Sequence, residues 1–189
     1  RDYYASRGLG DVYKRQVLGS GTVLDTARLK YNLGEHLNVD SRSVHAFIIG
    51  EHGDSELAAW SSATVSGVPI NTFCEMRGHF NHDEATERIA ENVKNSAYEI
   101  IAKKKATYFG VAMAVRRICE AIIRDEKSIL PVSNLMHGEF GISDISLSMP
   151  AIVGAHGVEN RIPITLDEEE TEKLQSSAGT LKKIIEEVL

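Results

Sequence analysis

Asp25 and Arg28 stand one helical turn apart, and His52 lies between Glu51 and Gly53 just past an apolar run. An imidazole can give or take a proton near neutral pH. A carboxylate beside it can fix its tautomer and stabilise its charged form. A guanidinium can grip a small carboxylate with two parallel hydrogen bonds. Together these are the parts needed to protonate and deprotonate a small carboxylated substrate. Each has a plainer reading when taken alone. Asp25 and Arg28 at i, i+3 form a surface ion pair worth about 0.3–0.5 kcal/mol. A histidine at the end of an apolar run is more often a turn residue than a catalyst, and His36 occurs in a second Gly-Glu-His on a helical pattern.

Positioning such a trio requires elements that the chain pattern supplies. Val44-His45-Ala46-Phe47-Ile48-Ile49 is apolar and β-branched and reads as one buried strand, with Gly50 and Gly53 allowing a sharp turn around His52. Residues 24–37 carry Leu24, Ala27, Tyr31 and Leu37 at helical spacing, with Asp25 in the first turn. Trp60, Val65 and Val68-Pro69-Ile70 predict short strands around a Gly67 turn. Asn81-x-x-Glu84 predicts a capping box opening a helix with Ile89, Val93, Ala97, Ile100 and Ile101 on one stripe. Residues 107–124 are apolar nearly all round and predict a central helix. Residues 128–136, 145–153 and 161–165 predict three strands. Asp167-x-x-Glu170 predicts a second capping box, ahead of a helix striped by Leu174, Ala178, Leu181, Ile185 and Val188. Strands and helices mix without regular βαβ alternation, which predicts an α+β fold with mixed sheets packed against long helices.

Composition narrows the classes of partner. The chain has 189 residues, 42% hydrophobic and 25% charged, enough to bury a sizeable core. A net charge of −6 gives no electrostatic reason to expect nucleic acid or an anionic membrane. The basic run Lys103-Lys104-Lys105 reads as a solvated helix face. Cys74 and Cys119 make no disulfide framework and fit a reducing, cytoplasmic setting. No apolar stretch is long enough to span a bilayer. The histidines include no His-Glu-x-x-His, so no metal site is expected. Gly19-Ser20-Gly21-Thr22-Val23-Leu24 lacks the third glycine of a dinucleotide fingerprint and reads as a helix-leading loop. Residues 1–16 show neither a signal-peptide core nor a clean amphipathic period, and read as a non-native leader ahead of a domain spanning 17–189.

Four ordered stretches carry a resemblance. Ser20-Gly21-Thr22-Val23-Leu24-Asp25-Thr26-Ala27-Arg28, Ile49-Gly50-Glu51-His52-Gly53-Asp54-Ser55, Ala106-Thr107-Tyr108 and Leu147-Ser148-Met149-Pro150-Ala151-Ile152-Val153-Gly154 resemble the C-terminal half of NAD-dependent L-lactate dehydrogenases of bacterial type, in the lactate/malate dehydrogenase superfamily. The resemblance implies His52 as acid/base, Asp25 as its orienting carboxylate and Arg28 as the clamp on the carboxylate of pyruvate or lactate. It implies Thr107 as a wall near the substrate's small side chain, and Ser20 and Val111 beside the nicotinamide of NAD. It implies a homotetramer, with fructose 1,6-bisphosphate as activator held by His45 and by position 30. Here that position is Lys30 where the family has arginine; lysine meets a phosphate without a bidentate fork. Lys105 stands where the family often has glycine. The family's Rossmann-type nucleotide-binding domain lies upstream of the matching half, which implies an inactive fragment of the parent enzyme. Rival readings are a malate or other L-2-hydroxyacid dehydrogenase, a non-catalytic oligomerisation module, and a metal-dependent hydrolase built on His45, His52 and Asp54.

Overall fold

A computed structural model describes residues 17–78 and 80–188; the expected leader, residues 1–16, lies outside them. Helix α1 (Val23–Leu37) turns one face, Leu29, Leu33 and Leu37, into a core completed by Val44, Val65, Ile70, Ile89 and Val93. It ends at Asn38 in the left-handed conformation, a short polar residue that tolerates it. The apolar run that follows is not one strand. β1 (Val44–His45) pairs with β4 (Thr64–Val65), and β2 (Ile48–Ile49) pairs with β3 (Leu57–Ala58). The chain changes partner at Ala46 and Phe47, so its uniform hydrophobicity serves two small sheets. β5 (Val68–Pro69) completes the sheet of order β1-β4-β5.

Trp60 lies in a 3₁₀ turn instead of a strand, and Ile70 opens a helix, α2 (Ile70–Met76), which the pattern did not predict. Pro69 sits at the N-cap position of that helix, where its missing N–H costs nothing. Helix α3 (His82–Lys104) lays Ile89 and Val93 against α1. Asn81 occupies its N-cap, but the side chain makes no capping bond, so the expected capping box is not formed.

Helix α4 (Phe109–Ile123) corrects the expectation of a central helix. Only Ala114, Ile118 and Ala121 are buried, against Leu130, Val132, Ala151 and Val153. Phe109, Val111, Met113, Val115 and Ile123 face outward. The main sheet is antiparallel, β6 (Ser128–His137), β7 (Ser143–Gly154) and β8 (Gly157–Arg161), with β7 in the middle. The third strand therefore ends where the sequence reading began it. Beyond Arg161 the chain is irregular, with Ile162 donating to the Pro150 carbonyl at 2.9 Å.

Helix α5 (Glu168–Val188) buries Leu174 and Ala178 against Ile49, Leu57, Met136 and Met149. Its predicted capping box is present. Glu170 N–H donates to Asp167 Oδ1 at 2.8 Å, and Asp167 N–H donates to Glu170 Oε2 at 3.2 Å. Mixed helices and antiparallel sheets make this an α+β architecture.

Candidate active site

Two buried threonines at the start of α1, Thr22 at its N-cap position and Thr26 inside it, determine where the site forms. Thr22 Oγ1 donates to the Ile48 carbonyl at 2.5 Å, and Ile48 N–H donates to Thr26 Oγ1 at 2.8 Å. Both backbone groups of one β2 residue are thus held by side chains of the helix. A buried N–H or C=O without a partner costs about 1–3 kcal/mol, so this register is strongly preferred. Asp25 lies between those two threonines in the chain, and β2 leads directly to Gly50 and the His52 loop.

Two glycines allow the close approach. Gly50 has φ +93, and its N–H and C=O exchange hydrogen bonds with Ser148 of β7 at 3.0 and 2.8 Å. A Cβ there would meet Ser177 Oγ at 3.0 Å in a conformation that L-residues avoid. Gly21 has φ +52, and a Cβ would come within 2.7 Å of the Ser133 backbone N. Gly21 lies in the helix-leading loop that the sequence predicts, and it lets the start of α1 press against β6.

In this setting His52 Nδ1 lies 2.9 Å from Asp25 Oδ2, and Arg28 Nη1 lies 3.1 Å from Asp25 Oδ1. The Asp25 side chain is 4% exposed and that of His52 56%. One buried carboxylate thus serves both groups: Oδ1 accepts from Arg28, while Oδ2, which no hydrogen bond satisfies among the described residues, stands at ion-pair distance from His52. Glu56 Oε2 stands 3.7 Å from the same His52 nitrogen. The contact with Asp25 first, and Glu56 second, pushes the imidazole up to about 10 from its ordinary 6.5. Burial pushes the Glu56 carboxyl above its usual range, against the opposing pull of His52. Glu56 was missed in the sequence. The available signal was a carboxylate four residues past a candidate histidine, but nothing local says that both face the same way.

Arg28, Thr107 and Val111 line one cavity of about 210 Å³, together with Leu24, Tyr108 and Phe109. Ser20 is not among its lining residues; it precedes α1, and its carbonyl accepts the Val23 N–H at 3.3 Å. Lys30 and His45 line a different cavity of about 380 Å³, with Arg42 and Arg117. Burial holds the Lys30 ammonium below its usual pKa, so an anion entering there would be met by a partly desolvated base. Arg42 is engaged by Asp40 at 2.7 Å. His45 and His52 thus belong to separate places, and Asp54 instead accepts from Tyr98 Oη at 3.0 Å. The hydrolase trio His45, His52 and Asp54 is not brought together.

Comparison with known proteins points to one family. The chain is 51% identical over 182 residues to an L-lactate dehydrogenase of Acetivibrio thermocellus, aligning 96% of its own length with 57% of that protein. It is 46% identical over 185 residues to L-lactate dehydrogenase 1 of Clostridium acetobutylicum, covering 98% of itself and 59% of that protein. It therefore spans a little over half the length of these relatives. Its fold superimposes on the ligand-bound minor L-lactate dehydrogenase of Enterococcus mundtii with a TM-score of 0.86 at 43% identity, covering 92% of this chain and 55% of that one. Residues 22–189 match the model for the lactate/malate dehydrogenase alpha/beta C-terminal domain, and with the buried carboxylate joining a histidine to an arginine, that match makes this chain a member of the lactate/malate dehydrogenase family.

Proposed function

We propose that this chain is the substrate-side part of an NAD-dependent L-lactate dehydrogenase that interconverts pyruvate and L-lactate. The observation that carries the reading is the Asp25 carboxylate shared between His52 and Arg28. Protonated His52 donates to the ketone oxygen of pyruvate and, in reverse, accepts the hydroxyl proton of lactate. Asp25 keeps the proton on Nδ1 and stabilises imidazolium. Arg28 uses its remaining N–H groups to hold the substrate carboxylate at the mouth of the cavity walled by Thr107. Val111, which lines this cavity, would give the nicotinamide of NAD an apolar wall, and NAD when bound would supply or take up the hydride. Ser20, outside that cavity, is proposed as a nicotinamide contact on the resemblance alone.

The cavity shared by Lys30 and His45 supports fructose 1,6-bisphosphate as an activator, with Lys30 to meet a phosphate, while Arg42 and Arg117 beside it are already paired with Asp40 and Glu126. A homotetramer in the cytoplasm follows from the same family reading. No helix among the described residues is long and apolar enough to cross a membrane. The outward apolar face of α4 favours a second reading, an oligomerisation module without catalysis.

The complete protein, assayed with NADH, is expected to reduce pyruvate in preference to oxaloacetate. His52→Ala should lower its kcat by roughly 10²–10⁴-fold, the usual worth of a general acid. Preference for oxaloacetate would make it a malate dehydrogenase. Turnover unchanged in His52→Ala would remove His52 as the acid/base, and a complete protein that turns over neither substrate would leave the oligomerisation reading.

A further inference from the structure

The charges around His52 do not balance if Asp25 is its only counter-ion. Arg28 holds Asp25 Oδ1 at 3.1 Å while His52 holds Oδ2 at 2.9 Å, so one negative charge faces two cations whenever the ring is protonated. Glu56 supplies the missing charge. Its side chain is 6% exposed, and its carboxylate reaches to 3.7 Å of His52 Nδ1. It sits immediately before β3, whose residue Leu57 pairs with Ile49 of β2. Asp25 approaches from α1. The ring is therefore gripped from two separate elements, each fixed by its own backbone pairing.

We propose that Glu56 is a positioning residue for His52, a second desolvated carboxylate on the Nδ1 side of the ring that holds the imidazole charged and oriented for proton transfer. This rests on His52 being the acid/base of the dehydrogenase proposed above. The groups facing the ring are Asp25 and Arg28 from α1 and Glu56 from the loop before β3. The charge of Lys94 in α3 draws the Glu56 carboxyl downward, and that of Asp25 pushes it up. Substrate docking completes the logic: once Arg28 turns its charge to the substrate carboxylate, imidazolium is left with Asp25 and Glu56. Raised burial of Glu56 also gives the arrangement a lower limit, since acid neutralises the group and withdraws its support.

The test reads the ring directly. Histidine ring nitrogen shifts of the 189-residue chain are followed against pH by NMR, with His52 assigned from a His52→Gln spectrum. In Glu56→Gln the His52 midpoint should fall by about one pH unit, a tenfold loss of proton affinity. Glu56→Asp should fall less, and it also covers the case in which Glu56→Gln fails to fold. A His52 midpoint unmoved in both variants overturns the proposal. In the complete protein, the alkaline limb of kcat/KM for pyruvate should move down with Glu56→Gln. An active protein whose limb stays put overturns the role of Glu56 while the enzyme assignment stands. A shifted ring in a protein that ignores pyruvate supports the Glu56–His52 coupling and removes the enzyme reading instead.

Discussion

Asp25 is the residue on which the site turns, because it is buried, charged and shared. Its worth follows from the general cost of burying a carboxylate, which is tolerable only when cations repay it. His52 is one of them, and its folded-state affinity for a proton exceeds that of the unfolded chain. The contribution is therefore complete below pH 6.5 and is lost as pH rises through about 10, the value to which its partners push it. The ring is 56% exposed, so solvent screening trims the amplitude. Chemical denaturation of the chain and of Asp25→Asn across this window should show the gap in stability between them narrowing as pH rises. A gap that stays constant from about pH 6 to about pH 10 would mean that the pair is not formed.

At the next level, the threonines of α1 make the helix and β2 one unit. Thr26→Val keeps the shape of the side chain but leaves the buried Ile48 N–H without its acceptor. It should cost about 1–3 kcal/mol, measured by urea denaturation, and a loss under a few tenths would mean that water or another group replaces the bond. The end of α3 carries the opposite opportunity. Lys105 caps it at φ +66, donating its N–H to the Ile101 carbonyl at 2.7 Å, in the conformation where glycine is easiest. Lys105→Gly should stabilise the chain by about 0.5–1 kcal/mol, visible as a raised thermal midpoint. Lys105 thus leaves the junction beside Thr107 in the left-handed turn, where its side chain costs some stability. Which segments become elements was largely readable, although the face of α1 was not. Ala27 and Tyr31 of the expected stripe are exposed, and Leu29 and Leu33 are buried beside Leu37, whereas Leu174 and Ala178 of α5 are buried as expected. The capping box at Asp167 was readable too, and the one at Asn81 shows that the motif permits the bond without compelling it.

For the molecule as a whole, the decisive feature is the outer face of α4. Phe109 is 76% exposed, Met113 57% and Ile123 82%, on a helix whose inner face is already packed. Exposed apolar side chains of this kind favour association, although the Arg116–Glu120 pair stands between Met113 and Ile123 in the helix. Sedimentation velocity on the 189-residue chain should show self-association rising with concentration, and Met113→Glu with Phe109→Ser should reduce it. A monomer at all concentrations would mean that this surface is not sticky enough to matter. The sequence reading made α4 central because its apolar residues surround the helix; periodicity can say that a face needs covering but not whether the same chain covers it.

From residue order alone came the kind of chemistry proposed, the four long helices and the longer strands of an α+β fold, and the three side chains suited to a proton and a carboxylate. These are local properties, carried by side-chain type and by repeats of two or about 3.6 residues. What packing settled was distance and company. Asp25 and His52 are far apart in the chain, and they meet because two threonines hold one backbone unit of β2 and a glycine turns the strand away. The same packing divided a uniform apolar run between two sheets, sent His45 to another cavity and brought Glu56 to the ring. Such outcomes depend on which surfaces exclude water together, a sum over the whole chain that no single stretch of residues contains.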